Sequence, residues 1–311
     1  MSPALPAAPV TAVIVTFQSA NTIARALAAT RRCHEAGLLD TVVVDNGSTD
    51  ATLEILEREA GWARVVLSGR NNGFGRGCNI GFAHVTSPYT IFINPDAVVE
   101  PEALQVMLRF MEGHAGVGIV GPAIIEGEHG AEGELQVTGE RPTPGAILRA
   151  ALPWPRQRAS VRPIVPGSEA QPTGWVCGAV FMIRTELMRR LKGFDPRFFL
   201  YWEETDVCHR AAQKGFETWA LGRAVAHHVG GASSSLNDER IGGCIAKHYF
   251  QSRHYYMRKH HGTMAAIAAE LGEFVLLAAR AAIDAVRGRG WVRLKPRLQA
   301  PLMSLPEENL M

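Results

Sequence analysis

The chain has 311 residues, which is long enough to bury a large hydrophobic core without disulfides or structural metals. Hydrophobic residues make up 47% and charged residues 20% of it, and this composition excludes the disordered, collagen-like and coiled-coil classes of protein. The formal net charge of +2 produces no strong electrostatic field, so we expect no nucleic-acid partner.

Strands and helices alternate in the N-terminal part of the chain. Strands buried on both faces are expected where apolar, β-branched runs occur without alternation, at residues 10–17, 41–44, 64–67 and 89–93. Helices are expected between them, one opened by Asn21 and the others around residues 49–56, 77–84 and 101–111. This order predicts a doubly wound, mostly parallel α/β sheet, whose ligands bind at the carboxyl ends of the strands.

The second strand ends in the acidic turn Asp45-Asn46-Gly47-Ser48-Thr49-Asp50. At the carboxyl end of a parallel strand, the Asp45 carboxylate could accept a hydrogen bond from the imide N–H of uracil or thymine, or from a ribose hydroxyl. The same residue types are typical of a turn and a helix cap, so the structural interpretation stays open beside the functional one.

A glycine-rich segment, NNGFGRGCNIG at residues 71–81, follows the third strand and opens a helix. Its glycines would let backbone N–H groups approach phosphates. Gly73, Gly75 and Gly77 also resemble half of a dinucleotide-binding fingerprint, but that fingerprint follows the first strand of its unit. A nucleotide-dependent oxidoreductase is therefore the disfavoured alternative.

The fourth strand ends in Asn94-Pro95-Asp96, which places a second carboxylate at the same edge of the sheet. One carboxylate together with substrate phosphates is a usual way of holding Mg²⁺ or Mn²⁺. The alternative is that Asp96 caps the helix that starts near Pro101.

Between residues 126 and 172 the pattern dissolves into a stretch rich in glycine, proline and arginine. A loop of this length is expected to be functional or mobile. Order returns at residues 174–184, followed by a helix around Leu187, a helix at 203–214 and a strand near 217–221.

The densest acidic cluster consists of Glu203, Glu204 and Asp206. On a helix, Glu203, Asp206 and Arg210 share one stripe, whereas Glu204 is turned roughly 100° away, so the two glutamates differ in role. Acids this close raise one another's pKa, which suits a general base. The alternative is first-turn carboxylates that stabilise the helix dipole. Downstream, His228 precedes a flexible turn, and a lone histidine is more often structural than a ligand.

The last third of the chain predicts two amphipathic helices, at about residues 240–260 and 264–287. Residues 264–286 of the second contain four charged residues, too many for a membrane-spanning helix, so we expect no transmembrane segment. This third is basic, which fits either peripheral contact with an anionic membrane or a solvated helix face. The five cysteines form no CxxC pair, so neither a disulfide framework nor a zinc ribbon is expected and the cytoplasm fits best.

Eight segments, in this order, resemble the inverting family 2 glycosyltransferases of the GT-A fold, in particular rhamnosyltransferase-like members. They are VIVTFQS, VVDNGSTD, NNGFGRGCNIG, FINPDA, CGAVFMIR, GFDPRFFLYWEETDVCHR, HHVGGAS and RKHHG. The resemblance implies a GT-A catalytic domain at residues 10–235, between an N-terminal tail (1–9) and a C-terminal helical extension (236–311). Its nucleotide-binding half is expected at 10–122 and its acceptor half at 123–235.

The resemblance also implies roles on the donor side of the site. Asp45 would contact the nucleotide base, and Thr16 would line that pocket through its backbone. The donor's nucleoside and diphosphate would lie beside Asn72, Gly73 and Arg76. Asp96 and His228 would bind the Mg²⁺ or Mn²⁺ ion that bridges the diphosphate, and Asn94 stands where many relatives have a first Asp.

On the acceptor side, the resemblance implies that Glu204 deprotonates the acceptor hydroxyl for in-line attack at the anomeric carbon. Glu203 remains the alternative base, because the pair here is Glu-Glu rather than the commoner Glu-Asp. Further substrate contacts are expected from Trp175, Gly178, Trp202 and Asp206, with both tryptophans equally open to a packing role.

The implied function is metal-dependent, inverting sugar transfer from a nucleotide-sugar, with dTDP-rhamnose first and UDP-sugars such as UDP-galactofuranose next. The expected acceptor is a growing cell-surface glycan, often lipid-linked, reached at the inner face of the plasma membrane. A non-catalytic glycan-binding scaffold subunit is a third class, against which the joint presence of Asp45, Asp96, Glu204 and His228 argues.

Overall fold

The computed structural model describes residues 8–127, 133–152, 161–229, 244–286 and 294–306. Strands and helices alternate in the first part of the chain, as predicted. Its elements are β1 (Val10–Thr16), α1 (Ile23–Glu35), β2 (Leu39–Asp45), α2 (Thr52–Glu59), β3 (Arg64–Leu67), α3 (Phe74–Phe82), β4 (Tyr89–Ile93), β5 (Ala97–Val99), α4 (Pro101–Gly113) and β6 (Val117–Glu126).

The second part contains short strands and a helix where the sequence predicted a long loop. Its elements are β7 (Glu134–Leu135), β8 (Val137–Gly139), α5 (Pro144–Ala151), β9 (Val161–Pro163), β10 (Gln171–Thr173), β11 (Val180–Arg184), α6 (Thr185–Arg190), α7 (Glu203–Gln213), β12 (Glu217–His228), α8 (Cys244–His261), α9 (Thr263–Val286) and α10 (Leu294–Leu298). The loop expectation was wrong for these residues. Thr143 caps α5 by accepting from the N–H of Ala146 at 3.1 Å, and Pro144 occupies the first helical turn, where it is well tolerated.

Ten of the described strands form one mixed sheet with the order β10-β12-β6-β11-β4-β1-β2-β3, to which β5 and β7 attach at β12 and β6. Strands β8 and β9 pair in a separate two-stranded sheet. Pairing is parallel among β4, β1, β2 and β3 and between β6 and β12. Strand β11 runs antiparallel to both β4 and β6 and so joins the two parallel blocks. The mostly parallel α/β sheet is confirmed.

Helices cover both faces of the sheet. On one face, Ile14 of β1 packs with Leu27 of α1 and Leu104 of α4. On the other, Val15 packs with Cys78 of α3 and Val207 of α7. Burial on both faces is the reason that these strands are apolar without alternation.

Strands β6 and β12 are the two longest strands that differ from the sequence-based prediction. Strand β6 was not predicted, because Gly118, Gly121 and Pro122 interrupt its apolar run. Strand β12 reaches His228, well beyond the expected end at Leu221. Both differences matter for the site, because β6 and β12 pair in parallel and bring Glu126 and His228 in register to the same edge of the sheet.

The C-terminal helices are joined to each other by buried ion pairs. Arg253 of α8 donates to Glu273 of α9 at 2.7 Å, and Glu270 of α9 accepts from Arg297 of α10. The described part of the chain has no helix that is both long enough and apolar enough to cross a membrane. The predicted domain boundary at 235/236 lies outside the described residues.

Candidate active site

The carboxyl ends of β1, β2 and β4 meet at one edge of the sheet. Thr16 pairs with Asp45, and Ile14 pairs with Ile93 immediately before the Asn94–Asp96 turn. The two carboxylates that the sequence singled out, Asp45 and Asp96, therefore follow neighbouring strands at the edge where ligands bind in open α/β sheets.

The two carboxylate oxygens of Asp45 differ, because one stabilises a turn and the other has no hydrogen-bond partner. Its Oδ2 accepts from the N–H groups of Gly47 (3.1 Å) and Ser48 (3.0 Å), so the turn interpretation is right for one oxygen. Its buried Oδ1 has no partner, and neither has the buried hydroxyl of Thr16. The Thr16 carbonyl already accepts from Asn46 at 2.8 Å. Buried polar atoms are rarely left unpaired, so Oδ1 of Asp45 and the Thr16 hydroxyl, rather than the Thr16 backbone, point to a ligand.

The glycine-rich segment is closely packed against the chain that precedes Glu203. Gly73 has a φ of +80°, and a Cβ there would lie 2.3 Å from the Phe199 carbonyl oxygen, so only glycine fits. That carbonyl accepts from the N–H of Phe74 at 2.9 Å, and helix α3 consequently begins at Phe74 rather than at residue 77. Arg76 donates through Nε to the carbonyl of Pro196 at 2.8 Å.

Asn72 is held from the neighbouring strand end. Its backbone N–H and its side-chain amide both donate to Oδ1 of Asn46, at 3.2 and 3.3 Å. The loop after β3 is thus fixed to the turn after β2, beside Asp45.

Asp96 and His228 form a direct contact. Oδ1 of Asp96 lies 3.0 Å from Nε2 of His228, and the amide of Asn94 lies 3.4 Å from the same nitrogen. His228 is 2% exposed and is positioned by β12, which pairs it with Ala97 of β5. The rest of the predicted HHVGGAS segment beyond Val229 lies outside the described residues.

Glu126 is a site residue that the sequence did not predict. Its Oε1 lies 3.4 Å from Nδ1 of His228 and accepts from Gln136, while its buried Oε2 has no partner. Burial opposes the charged imidazole, but the hydrogen bonds and charges of Asp96 and Glu126 outweigh it and raise the pKa of His228 to about 9. The sequence could have placed Glu126 at this edge only if β6 had been recognised as a strand.

The Asp96–His228 pair is suited to hold a divalent ion. A carboxylate oxygen and an imidazole nitrogen 3.0 Å apart can occupy adjacent positions around an ion that binds ligands at about 2.1 Å. A carboxylate on the second ring nitrogen, here Glu126, is the usual support for a metal-bound histidine. Among the described residues, no three or more His, Cys, Asp or Glu side chains are placed so that they could hold a metal ion together. Two protein donors match an ion that takes its other ligands from substrate phosphates and water.

Helix α7 presents two glutamates in different environments. Glu203 is 3% exposed and its Oε2 has no partner, and burial together with the Glu204 charge holds its pKa well above the usual range. Glu204 keeps partial access to solvent, and burial raises its pKa to about 7. The two glutamates therefore differ in environment: Glu203 is enclosed and its protonated form is favoured, whereas Glu204 reaches solvent.

A strained turn leads into these glutamates. Tyr201 and Trp202 both have left-handed backbone conformations, with φ of 68° and 71°, which cost about 1 to 3 kcal/mol each. The Trp202 ring packs against Tyr256 and Tyr249 of α8, with centroids 5.1 and 5.9 Å away, and its buried Nε1 has no partner. Packing against α8 thus holds the start of α7 in place.

Asp206 lies in an ion-pair network rather than among free acids. It is fully buried, with Oδ2 2.7 Å from Arg210 and Oδ1 2.6 Å from Lys259 and 2.8 Å from His260. Burial alone would raise its pKa, but these three partners lower it. The expectation that all three acids raise one another's pKa was therefore wrong for Asp206, which bridges α7 and α8.

The segment at residues 175–179 joins the two halves of the site. Burial raises the pKa of the Cys177 thiol to about 12, with further contributions from the charges of Glu204, Glu126 and Asp96, so the three carboxylates lie near one buried sulfur. Ala179 accepts from the N–H of Asn94 at 2.8 Å. At the other end, half-buried Trp175 forms a bridge with Gly139.

Glycosyltransferases are the proteins that this chain is similar to. The family model described as glycosyl transferase family 2 matches residues 11–167. N-acetylglucosaminyl-diphospho-decaprenol L-rhamnosyltransferase of Mycobacterium tuberculosis is 25% identical over 235 residues, which cover 70% of this chain and 75% of the relative. A low-salt glycan biosynthesis hexosyltransferase of Haloferax volcanii is 24% identical over 185 residues, which cover 58% of this chain and 55% of the relative.

Two solved structures share the fold along most of the chain. S. aureus TarS has a TM-score of 0.52 at 14% identity and covers 93% of this chain and 91% of its own. The mannosyltransferase PcManGT from Pyrobaculum calidifontis, in complex with GDP-Man and Mn²⁺, has a TM-score of 0.53 at 17% identity and covers 94% of this chain and 86% of its own. At these identities the likeness shows the fold alone.

Proposed function

The chain belongs to glycosyl transferase family 2, as a rhamnosyltransferase-like member with the GT-A fold, and we propose that it is an inverting, metal-dependent enzyme. It transfers a sugar, rhamnose first, from a nucleotide-sugar to a cell-surface glycan or lipid-linked acceptor. Family membership as such establishes glycosyltransferase activity and excludes the oxidoreductase alternative.

One observation carries the proposal: the Asp96–His228 pair and Glu204 border the same short segment. Gly178 lies under Glu204, with a would-be Cβ 3.3 Å from its Cδ, and the next residue, Ala179, is bonded to Asn94 beside the pair. Sugar transfer needs a cationic group at the leaving diphosphate and a base at the acceptor hydroxyl. This arrangement supports both needs in one cleft.

On the donor side, the unpaired Oδ1 of Asp45 and hydroxyl of Thr16 face a nucleotide base. Asn72, Gly73 and Arg76 lie beside the nucleoside and diphosphate. Asp96 and His228 hold Mg²⁺ or Mn²⁺, and Asn94 contacts His228. When bound, the divalent ion neutralises the charge that develops on the leaving diphosphate.

On the acceptor side, Glu204 accepts the proton of the attacking hydroxyl. The acceptor oxygen forms its bond to the anomeric carbon as the bond from that carbon to the diphosphate oxygen breaks, with inversion. A carboxylate with a pKa of about 7 is matched to this work, because a base is most effective when its pKa lies near the working pH. Trp175 and Trp202 flank this side.

Rhamnose is proposed because the relative from Mycobacterium tuberculosis is an L-rhamnosyltransferase. That relative's name also specifies a diphospho-decaprenol acceptor, which supports a lipid-linked acceptor for this chain. Such an acceptor lies in a membrane, so we place the enzyme in the cytoplasm with peripheral contact at the inner face of the plasma membrane.

The proposal is tested by calorimetric binding of dTDP, UDP and GDP with and without Mn²⁺. We expect Mn²⁺ to tighten the binding of one nucleotide by roughly tenfold or more, and Asp96→Ala to abolish that gain. Asp40→Ala, at a side chain 62% exposed, is the matched control and should keep it. If none of the three nucleotides binds, either with or without Mn²⁺, the non-catalytic scaffold alternative replaces the proposal.

A further inference from the structure

Helix α9 exposes a continuous apolar face. Every exposed residue of α9 from Met264 onward is methionine, leucine, isoleucine, valine or alanine. The large ones are Met264, Leu271, Val275, Ile283 and Val286. They follow one another at intervals of seven, four, eight and three residues, and such intervals return to the same side of a helix. The helix has 24 residues, so this face is about 36 Å long.

The charged residues of α9 lie on its opposite side. Glu273 is buried and accepts from Arg253 of α8 at 2.7 Å, and Glu270 is buried and accepts from Arg297 of α10. Asp284 is half-buried in an ion pair within α9 itself. The helix therefore turns its charges toward the protein and its apolar residues outward, which is the reverse of a surface helix in a water-soluble protein.

The helices packed against α9 expose positive charge and no carboxylate. Helices α5, α8 and α10 all contact α9, and none of them contains an aspartate or glutamate. Each has one exposed cation, at Arg149, Arg258 and Lys295 respectively. An anionic lipid surface complements this charge, whereas a second copy of the chain would meet the same positive charge.

Short connections join the start of α9 to the segment at residues 175–179. Nε2 of His261, two residues before α9, lies 3.1 Å from the carbonyl oxygen of Pro142. Three residues before Pro142, Gly139 forms a bridge with Trp175. The N-terminal end of the apolar face is thus tied to the segment that contacts the proposed base.

We propose that α9 docks on an anionic lipid bilayer and lies in the plane of its surface, with the apolar face inserted at the boundary of the acyl chains. The described part of the chain has no helix that could cross a bilayer, and a helix with one apolar face binds in the interface instead. The inference rests on the proposed function, which supplies a lipid-linked acceptor, and deepens it by assigning the surface that meets the membrane. Apolar burial makes this contact, and the exposed cations add to it.

The binding test is sedimentation of the full chain with vesicles of phosphatidylcholine and phosphatidylglycerol in equal parts, without donor or acceptor. We expect Val275→Glu to weaken vesicle binding at least roughly tenfold, because a charged side chain replaces an apolar one that is buried in lipid. Leu67→Glu, on β3, is the matched control and should bind as the wild type does. Both positions are 64% exposed in the free chain, and both variants change the net charge equally.

A measurement in high salt separates apolar insertion from attraction by charge. In about 1 M salt, where the Debye length is about 3 Å, Val275→Glu should still bind vesicles at least roughly tenfold more weakly than the wild type. Equal thermal unfolding of the two proteins would show that the variant folds. A difference that disappears in high salt overturns the insertion of α9.

A kinetic test connects the surface to sugar transfer. With N-acetylglucosaminyl diphosphate on a decaprenyl chain in the same vesicles as acceptor, Val275→Glu should lower the initial rate roughly tenfold. With the same sugar diphosphate on a short, water-soluble alkyl chain, the two proteins should have equal rates.

The outcomes separate this inference from the proposed function. Vesicle binding that is equal in wild type and Val275→Glu overturns the docking surface, whether or not sugar is transferred. A wild type that is dimeric in sedimentation velocity without lipid, beside a monomeric Val275→Glu, assigns the face to a second copy and also overturns it. A wild type that transfers sugar to neither acceptor contradicts the proposed function, while vesicle sedimentation still decides whether α9 docks on lipid.

Discussion

Gly178 forms the surface against which the Glu204 carboxylate rests. A Cβ atom at position 178 would lie 3.3 Å from Cδ and 3.4 Å from Oε2 of Glu204. A side chain at this position would therefore press on the Glu204 carboxylate and shift it by a few tenths of an ångström, so glycine favours this close approach without an unusual backbone angle. The proposed base and Gly178 are in contact, so the position of one depends on the other.

Gly178→Ala is expected to lower kcat by roughly tenfold or more, because a displacement of only part of an ångström misplaces a catalytic group. Steady-state kinetics at saturating donor and acceptor would measure it. Gly61→Ala serves as the control, since an added Cβ there meets nothing within 4 Å. Unchanged kcat in Gly178→Ala would show that Glu204 does not act from its present position.

Glu204→Gln and Glu203→Gln are expected to differ sharply. The first removes the proposed base and should lower kcat roughly 10²-fold or more. Burial and the Glu204 charge raise the pKa of Glu203 and so favour its protonated form, which glutamine resembles in shape and charge, and the second variant should retain most activity. Thermal unfolding would confirm that both variants fold. A larger loss in Glu203→Gln would transfer the role of base to Glu203.

The pH profile of kcat should follow the ionisation of Glu204. Its pKa is raised to about 7, so the carboxyl is protonated, and inactive as a base, below that value. We expect kcat to rise about tenfold per pH unit on the acid side and to level off above about pH 7. Glu204→Gln should lack this rise. A wild-type profile that is flat across pH 7 would contradict the assignment.

Asp206→Asn should destabilise the fold rather than alter the chemistry alone. It removes the buried carboxylate that Arg210, Lys259 and His260 share. We expect a loss of about 3 kcal/mol in the free energy of unfolding, at the low end for a broken buried ion pair, because Lys259 keeps Asp195 at 2.8 Å.

Urea denaturation would measure this loss. Asp284→Asn breaks a half-buried pair whose atoms are 3.7 Å apart and should cost less than about 1 kcal/mol. If the two variants are equally stable, Asp206 does not hold α7 to α8.

The gathering of Asp45 and Asp96 at one edge of the sheet could be predicted from local sequence. The apolar runs that end at Thr16, Asp45 and Ile93 have the composition of strands buried on both faces. The polar residues that follow them had to lie at one edge, because the carboxyl ends of parallel strands meet there. The different environments of Glu203 and Glu204 also followed from the angular spacing of residues on a helix.

Contacts between distant segments could not be predicted in this way. Strand β6 contains glycine and proline that weaken its local signal, and its pairing with β12 is what brings Glu126 to His228. Of the groups that lower the pKa of Asp206, only Arg210 lies on its own helix. Lys259 and His260 come from α8, some 50 residues later, so the sequence around Asp206 does not reveal them.

The sequence by itself determined the alternation of strands and helices, the family resemblance and the order of the chemical groups, because these depend on periodicity and short motifs. The tertiary structure alone decided which polar groups meet at the site and which acid is neutralised by cations from another helix. The physical reason is that charge and burial act through space, and a carboxylate's pKa depends on the partners that folding brings within a few ångströms.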